Sequence, residues 1–239
     1  MCGIVGYVGE NSASPILIDG LKKLEYRGYD SAGIAVSENG KTDVVKTKGR
    51  IKNLEEKLEE VGGLSGTVGI GHTRWATHGA PTDVNAHPHK GGNGRITLVH
   101  NGIIENYIEL KTMLQKGGYV FVSETDTEVL AHLFDYYYKG DLLDAMVNVM
   151  KTVRGSYAVA ILADDKPGTI IAARKDSPLI VGLGDGENFL ASDIPAVLKY
   201  TRDCYLLEDN QIAVLTKDNV TLYDTNKNVV KKDVYHVTW

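Results

Sequence analysis

An α+β fold, with antiparallel sheet and helices grouped apart from it, is the architecture this sequence predicts. Three observations carry the prediction. Short β-type segments follow one another from Tyr157 to Tyr223, separated by Asp, Gly and Asn turns. Asn39-Gly40, a pair that accepts positive φ, lies between two strand-like runs and marks a hairpin. Helical periodicity is gathered between Ile104 and Val153.

Taken in order, Cys2 to Val8 is mostly apolar and reads as a strand. Ser14-Pro15 supplies an N-cap and a proline at the first helical position, and Ile16, Leu17, Leu21 and Leu24 then recur on one helix face as far as about Glu25. Gly33 to Ser37 and Thr42 to Lys46 flank the Asn39-Gly40 turn. A charged helix follows near Ile51 to Val61, then a strand at Thr67 to Gly71. His72 to Gly94 reads as a long functional loop, closed by a strand at Ile96 to Val99. Helices are expected at Ile104 to Gln115, Thr127 to Tyr138 and Leu142 to Val153. Strands are expected at Tyr157 to Leu162, Thr169 to Ala173, Leu179 to Val181, Phe189 to Ala191, Cys204 to Leu207, Gln211 to Leu215 and Val220 to Tyr223. Three adjacent tyrosines, Tyr136 to Tyr138, face three directions on a helix, so at least one packs inward.

With 239 residues and 43% of them hydrophobic, the chain can fill a substantial core. No Pro- or Ser-rich linker and no internal repeat divides it, so a single domain over 1–239 is expected. The net charge of −5 and the lack of any Lys/Arg block argue against a nucleic-acid or anionic membrane partner. The longest apolar run, Tyr157 to Ala163, falls far short of the ~20 residues of a membrane-spanning helix. Met1 to Gly9 lacks the basic start of a secretory signal. Of the two cysteines, Cys204 resembles an inert strand thiol and neither belongs to a CxxC pair, which fits a reducing cytoplasm, although a lone disulfide between them is conceivable.

Cys2 is the first chemical signal. Removing Met1 would make it the N-terminus, placing a thiol a few bonds from an α-amine of pKa about 7.7 to 8.0, a suitable general base near neutrality. The plainer reading is a cysteine that opens a buried strand. His72-Thr73-Arg74-Trp75-Ala76-Thr77-His78-Gly79 gathers a guanidinium, an indole, two hydroxyls and two imidazoles in one segment. Arg74 offers a fork for a carboxylate, or a surface ion pair. In His100-Asn101-Gly102 the Asn101 amide and the Gly102 N–H could serve a developing oxyanion, or form an ordinary Asn-Gly turn. Ser123 to Glu128 reads as a helix N-terminus, and Asp126 could also neutralise a ligand ammonium.

Five of the seven histidines lie between His72 and His100, which raises a metal-dependent hydrolase as a rival. Their spacing matches no HExxH or CxxC pattern, so no metal ligands are assigned. Gly182-Leu183-Gly184-Asp185-Gly186 lacks the final glycine spacing of a nucleotide loop and reads as a turn between strands.

Cys2-Gly3-Ile4-Val5-Gly6, the Leu24 to Gly33 block, the His72 to Gly79 segment, Asn85 to His89, His100-Asn101-Gly102 and Ser123 to Glu128 together resemble the class II glutamine amidotransferases, in order and over nearly the whole chain. Arg27-Gly28-Tyr29-Asp30 and Trp75-Ala76-Thr77-His78 resemble the branch that aminates fructose 6-phosphate. The resemblance implies an N-terminal-nucleophile hydrolase fold, a four-layer αββα sandwich of two antiparallel sheets. It implies L-glutamine as substrate, Cys2 as nucleophile with its freed α-amine as base, and no cofactor. Asn101 and Gly102 would form the oxyanion hole, and Arg27 and Gly28 would support the thiol. Arg74 would hold the α-carboxylate of glutamine and Asp126 its α-ammonium, with Trp75, Thr77 and His78 in a closing loop; His72, His78 or His100 would be the next base if the amine were not. That branch continues into sugar-phosphate isomerase domains and forms homo-oligomers. The expectation here is a glutaminase domain without those partners, monomeric by itself; a non-catalytic binding module is the remaining alternative.

Overall fold

The computed structural model describes residues 2–76 and 78–239. The first third comprises β1 (Gly3–Val8), α1 (Ala13–Leu24), β2 (Ser31–Glu38), β3 (Lys41–Lys48), α2 (Ile51–Glu60) and β4 (Val68–Arg74). After β5 (His89–Gly91) and β6 (Ile96–Ile104) come α3 (Tyr107–Lys116), α4 (Asp126–Tyr137) and α5 (Leu142–Thr152). The rest is β7 (Gly155–Ala163), β8 (Ile170–Lys175), β9 (Ile180–Leu183), β10 (Asn188–Ala191), β11 (Asp203–Leu206), β12 (Ile212–Leu215), β13 (Val220–Tyr223), β14 (Val229–Val230) and β15 (Tyr235–His236).

These strands form two antiparallel sheets, ordered β15-β11-β9-β10-β1-β4-β2-β3 and β14-β13-β12-β8-β7-β6-β5. The period-2 alternation along each strand decides the layers. On β1, Val5 and Tyr7 face α1 and its Leu17, Leu21 and Leu24, whereas Ile4 and Val8 face the second sheet. On β7, Tyr157, Val159 and Ile161 pack under α4 and α5, while Ala158, Ala160 and Leu162 face the first sheet. The layer between the sheets is rich in alanine (Ala35, Ala158, Ala160, Ala172, Ala213), small side chains that let two sheets stack without voids. The result is the αββα sandwich the resemblance implied. Tyr138 is the inward member of its triplet, fully buried against Phe134, with Tyr136 exposed.

Most expected elements are present, with corrections at their ends. Asn39 and Gly40 both take positive φ and close the β2–β3 hairpin. Helix α1 starts before the anticipated Ser14 cap, because the Ala13 N–H is already bound to the Gly66 carbonyl; the Ser14 hydroxyl instead donates to Leu64 O at 3.0 Å. His72 to Arg74 belong to β4 rather than to a loop, since they pair with Gly3 and Ile4 on one side and Ser31 to Gly33 on the other. Likewise the strand expected to end at Val99 runs on to Ile104, paired to β7 throughout, and α3 begins correspondingly later. The segment expected as one loop contains the short strand β5, and β14 and β15 are additional two-residue strands. A turn does join β9 and β10, but it covers Gly184 to Glu187, because Gly182 and Leu183, expected within it, pair with Phe189 and Asn188 as part of β9. Both cysteines are free thiols, Cys204 fully buried. Among the described residues no helix is long and apolar enough to cross a membrane.

Candidate active site

Strand register brings the chemistry together. In the first sheet Gly3 faces Thr73 across the β1–β4 pair, so Cys2, just outside the strand, meets Arg74 and Trp75. In the second sheet Asn101 and Gly102 lie opposite Ala158 and Tyr157. Of the ten site residues the resemblance implies, eight (Cys2, Arg27, Arg74, Trp75, His78, Asn101, Gly102 and Asp126) line one cavity of about 260 Å³, together with His100. Of the remainder, Gly28 packs directly beneath, and Thr77, anticipated in the closing loop, lies outside the described residues.

The Cys2 thiol is held against the backbone of Trp75. Its sulfur accepts the Trp75 N–H at 3.1 Å and lies 3.4 Å from the Trp75 carbonyl. Burial pushes the Cys2 pKa up, against the Trp75 hydrogen bond, so the resting group is a thiol. Gly28 makes this contact possible: a Cβ there would sit 2.7 to 2.9 Å from the Arg74 carbonyl carbon and oxygen and the Trp75 nitrogen. Thr73 Oγ1 donates to the Gly28 carbonyl at 2.8 Å, tying the segment to β4. Arg27, buried next to it, donates to Ser192 O at 3.1 Å and lies 3.7 Å from Asp193.

Arg74 is buried and its fork is partly engaged. Nη1 donates to the Ala80 carbonyl at 3.1 Å, and Nη2 donates to the carbonyls of Gly79, at 2.9 Å, and His78. The guanidinium thereby folds the 78–80 segment around itself at the cavity wall. Asp126 begins α4, whose N-cap is Thr125, accepting from Glu128 N. One Asp126 oxygen accepts the Ile104 N–H at 2.9 Å; the other is 3.9 Å from His78 Nδ1. Trp75 is half exposed at the rim, edge-on to Tyr29.

Gly102 has φ +119°, and a Cβ there would fall 2.2 Å from the Ser156 carbonyl oxygen, so only glycine fits. The Asn101 amide donates to the Cys2 carbonyl at 3.1 Å and faces His72 Nε2 through Oδ1 at 3.0 Å. His72 is fully buried and stacked on His87, rings 3.9 Å apart. Burial drives His72 to a pKa of about 3 and pushes His87, His89 and His100 down as well, so the histidine cluster is neutral near pH 7. Among the described residues no group of three His, Cys, Asp or Glu side chains is arranged to hold a metal ion.

Sequence reading passed over several residues in and beside the cavity. Asp30 accepts the Ala76 N–H and so anchors the turn after Trp75; it stands inside the quoted Arg27 to Asp30 block, which was its available signal. Thr127 binds His100 Nδ1 at 2.9 Å from the first turn of α4. His87, Ser156, Ser177 and Pro178 also line the cavity, the last three brought by tertiary register alone. A wider cleft of about 480 Å³ between β3 and the 83–90 segment is walled by Lys46, Lys57 and Lys90 but contains no nucleophile.

The chain is 60% identical over all 239 residues to a protein named glutamine–fructose-6-phosphate aminotransferase (isomerizing) from Clostridium tetani, and 55% identical to one of the same name from Thermus thermophilus. It spans 39% of the length of each. Among solved structures, glutamine phosphoribosylpyrophosphate amidotransferase from B. subtilis superposes with a TM-score of 0.81 at 28% identity, over 95% of this chain and 50% of that one. A protein named glutamine aminotransferase class-II domain protein from Silicibacter pomeroyi, 12% identical with a TM-score of 0.62, shares the fold. The profile of the glutamine amidotransferase domain matches residues 72–199, more than half of the chain, and this chain belongs to that family.

Proposed function

We propose that this chain hydrolyses the side-chain amide of L-glutamine to glutamate and ammonia through a γ-glutamyl thioester on Cys2. The supporting observation is the convergence on one cavity of a thiol, an amide and glycine pair, a guanidinium and a carboxylate. At about 260 Å³ the cavity lies below the ~300–1,000 Å³ of drug-sized sites, which suits an amino acid. Arg74 and Asp126 carry the charges that complement an α-carboxylate and an α-ammonium, leaving the glutamine side chain to reach Cys2.

In this reading Met1 is removed and the freed α-amine accepts the Cys2 proton as sulfur attacks the amide carbon. A base is needed because burial keeps the thiol protonated. The negative charge that develops on the carbonyl oxygen is met by the Asn101 amide and the Gly102 N–H. The ammonium returns its proton to the departing nitrogen, ammonia leaves, and water, deprotonated by the same amine, hydrolyses the thioester to glutamate. Arg27 and Gly28 hold the Trp75 backbone and the thiol in register, and Trp75 and His78 form the closing rim. No cofactor takes part.

The names of the relatives extend the proposal: residues 1–239 act as one glutaminase domain whose ammonia, with isomerase domains of the same polypeptide in a homo-oligomeric enzyme of the cytoplasm, converts fructose 6-phosphate to glucosamine 6-phosphate. This domain by itself is taken as a monomer. Glutamine-dependent ammonia release, unaffected by EDTA, with a glutamine-like electrophile labelling Cys2 rather than Cys204, supports the reading. Absence of ammonia release from protein whose Met1 has been removed contradicts it, as does formation of glucosamine 6-phosphate by this chain alone.

A further inference from the structure

The orientation of one amide decides whether the Asn101 side chain presents N–H groups or an oxygen to the cavity. Turning it by 180° exchanges Oδ1 and Nδ2 with almost no change of shape, so the neighbouring groups must select one orientation. On one side stands the Cys2 carbonyl, an acceptor, 3.1 Å from Nδ2. On the other stands His72 Nε2, 3.0 Å from Asn101 Oδ1 and 3.0 Å from the His100 carbonyl.

A backbone carbonyl only accepts, so the His72 nitrogen facing it carries the proton. The same N–H then points at Asn101 Oδ1. His72 Nδ1 is buried with no hydrogen-bond partner among the described residues, as expected of the bare nitrogen in a neutral ring with its proton on Nε2. Stacking on His87 at an interplanar angle of 11° fixes the ring plane, and His87 is itself held by the His100 N–H at 3.4 Å. With the amide reversed, an N–H would oppose the His72 N–H and an oxygen would oppose the Cys2 carbonyl. Both contacts would be repulsive in a buried site.

We propose that His72 is a positioning residue: its Nε2–H, directed at Asn101 Oδ1, holds the Asn101 amide with its N–H groups toward Cys2 and the substrate cavity. This rests on the reading that Asn101 stabilises the oxyanion of glutamine hydrolysis. His72 touches neither the thiol nor the substrate and acts through Asn101 alone.

The test uses the 239-residue chain with Met1 removed. His72→Met takes away the donor while keeping an apolar side chain, and should lower kcat about 10- to 100-fold, part of the ~10²–10³ attached to one oxyanion donor. KM for glutamine should stay within about twofold, because the interaction acts on charge present only in the transition state. His72→Gln, whose side-chain nitrogen can reach the position of Nε2, should recover most of the loss. In an Asn101→Ala background, His72→Met should have no further effect on kcat. Nitrogen NMR of the unsubstituted protein should show a ring protonated at Nε2 and bare at Nδ1, a readout that does not require any variant to fold. A ring protonated at Nδ1 instead, or a folded His72→Met with unchanged kcat, overturns the inference. So does equal loss in His72→Gln and His72→Met, or an additive double variant. If Asn101→Ala itself keeps full kcat, the oxyanion reading fails rather than the hydrogen bond to His72.

Discussion

The Trp75 backbone N–H points at Cys2 Sγ from 3.1 Å, so the nucleophile and the rim of the cavity are fixed to each other through main chain. The contact depends on Gly28 lying flat beneath Arg74 and Trp75, and on Asp30 accepting the next N–H, that of Ala76. Two segments remote in sequence thus position one sulfur atom, and side-chain changes at Trp75 leave that hydrogen bond intact.

Arg74 holds three carbonyls of the 78–80 segment while lining the cavity, a geometry that lysine cannot reproduce. Arg74→Lys keeps the charge and loses the fork. A charge-assisted hydrogen bond contributes about 1.5–3 kcal/mol, so KM for glutamine should rise roughly 10- to 100-fold, with a smaller fall in kcat. Steady-state titration with glutamine checks this; an unchanged KM removes Arg74 from substrate binding.

Gly102 cannot be replaced without cost. Gly102→Ala would place a methyl 2.2 Å from the Ser156 carbonyl in a φ of +119°. Left-handed strain of this kind costs about 1–3 kcal/mol, and relief of it must shift the β6–β7 pairing at the proposed oxyanion position. Both the melting temperature and kcat should fall. A variant with native Tm and native turnover would show that this backbone position is irrelevant to catalysis.

Asn101→Ala should lower kcat by ~10²–10³, the scale of a single oxyanion donor, with little change in circular dichroism because its partners His72 and Cys2 O are few. Turnover equal to that of the unsubstituted protein contradicts the assignment.

Much of this site was legible in the sequence because its residues are chemically conspicuous: a cysteine at position 2, an Arg-Trp pair, and Asn-Gly after a strand. The α+β class was legible in the run of short strands and the Asn39-Gly40 turn, whereas the αββα layering came only with the family resemblance. Element ends were less legible. His72 to Arg74 look like loop residues by polarity, yet they are strand because β1 and β2 flank them and take up their backbone groups. Ser14 resembles a cap, but the Gly66 carbonyl starts the helix earlier. Ser156, Ser177 and Pro178 give no local signal, since only the pairing of β6 with β7 and the packing of the two sheets bring them to the cavity. The role of His72 needed coordinates, because it consists of which ring nitrogen meets which oxygen.

Acid should destabilise the fold through its buried histidines. His72 has a folded pKa near 3 against an ordinary 6.5, and His87, His89 and His100 are depressed in the same sense by burial. The unfolded chain therefore binds more protons between these limits. Their contribution is present above about pH 6.5 and is lost as pH falls toward 3. For Glu128, burial alone would raise the carboxyl, but hydrogen bonds from His132, Ser123 and Val122 outweigh it and hold it at about 2, so it adds a loss below about pH 4.5. Urea unfolding at pH 7.5, 6 and 5 should give a steadily lower midpoint. A midpoint independent of pH over that range contradicts the neutral, buried cluster.

The α-amine of Cys2 is the proposed base, and an amide nitrogen at that place accepts no proton. Ammonia release should therefore be measured on two preparations of the same chain, one with Met1 removed and one with Met1 retained, their masses verified and their circular dichroism matched. The account predicts ready turnover of glutamine by the first and almost none by the second. Equal kcat/KM for the two would contradict it and return the role of base to a side chain within the cavity.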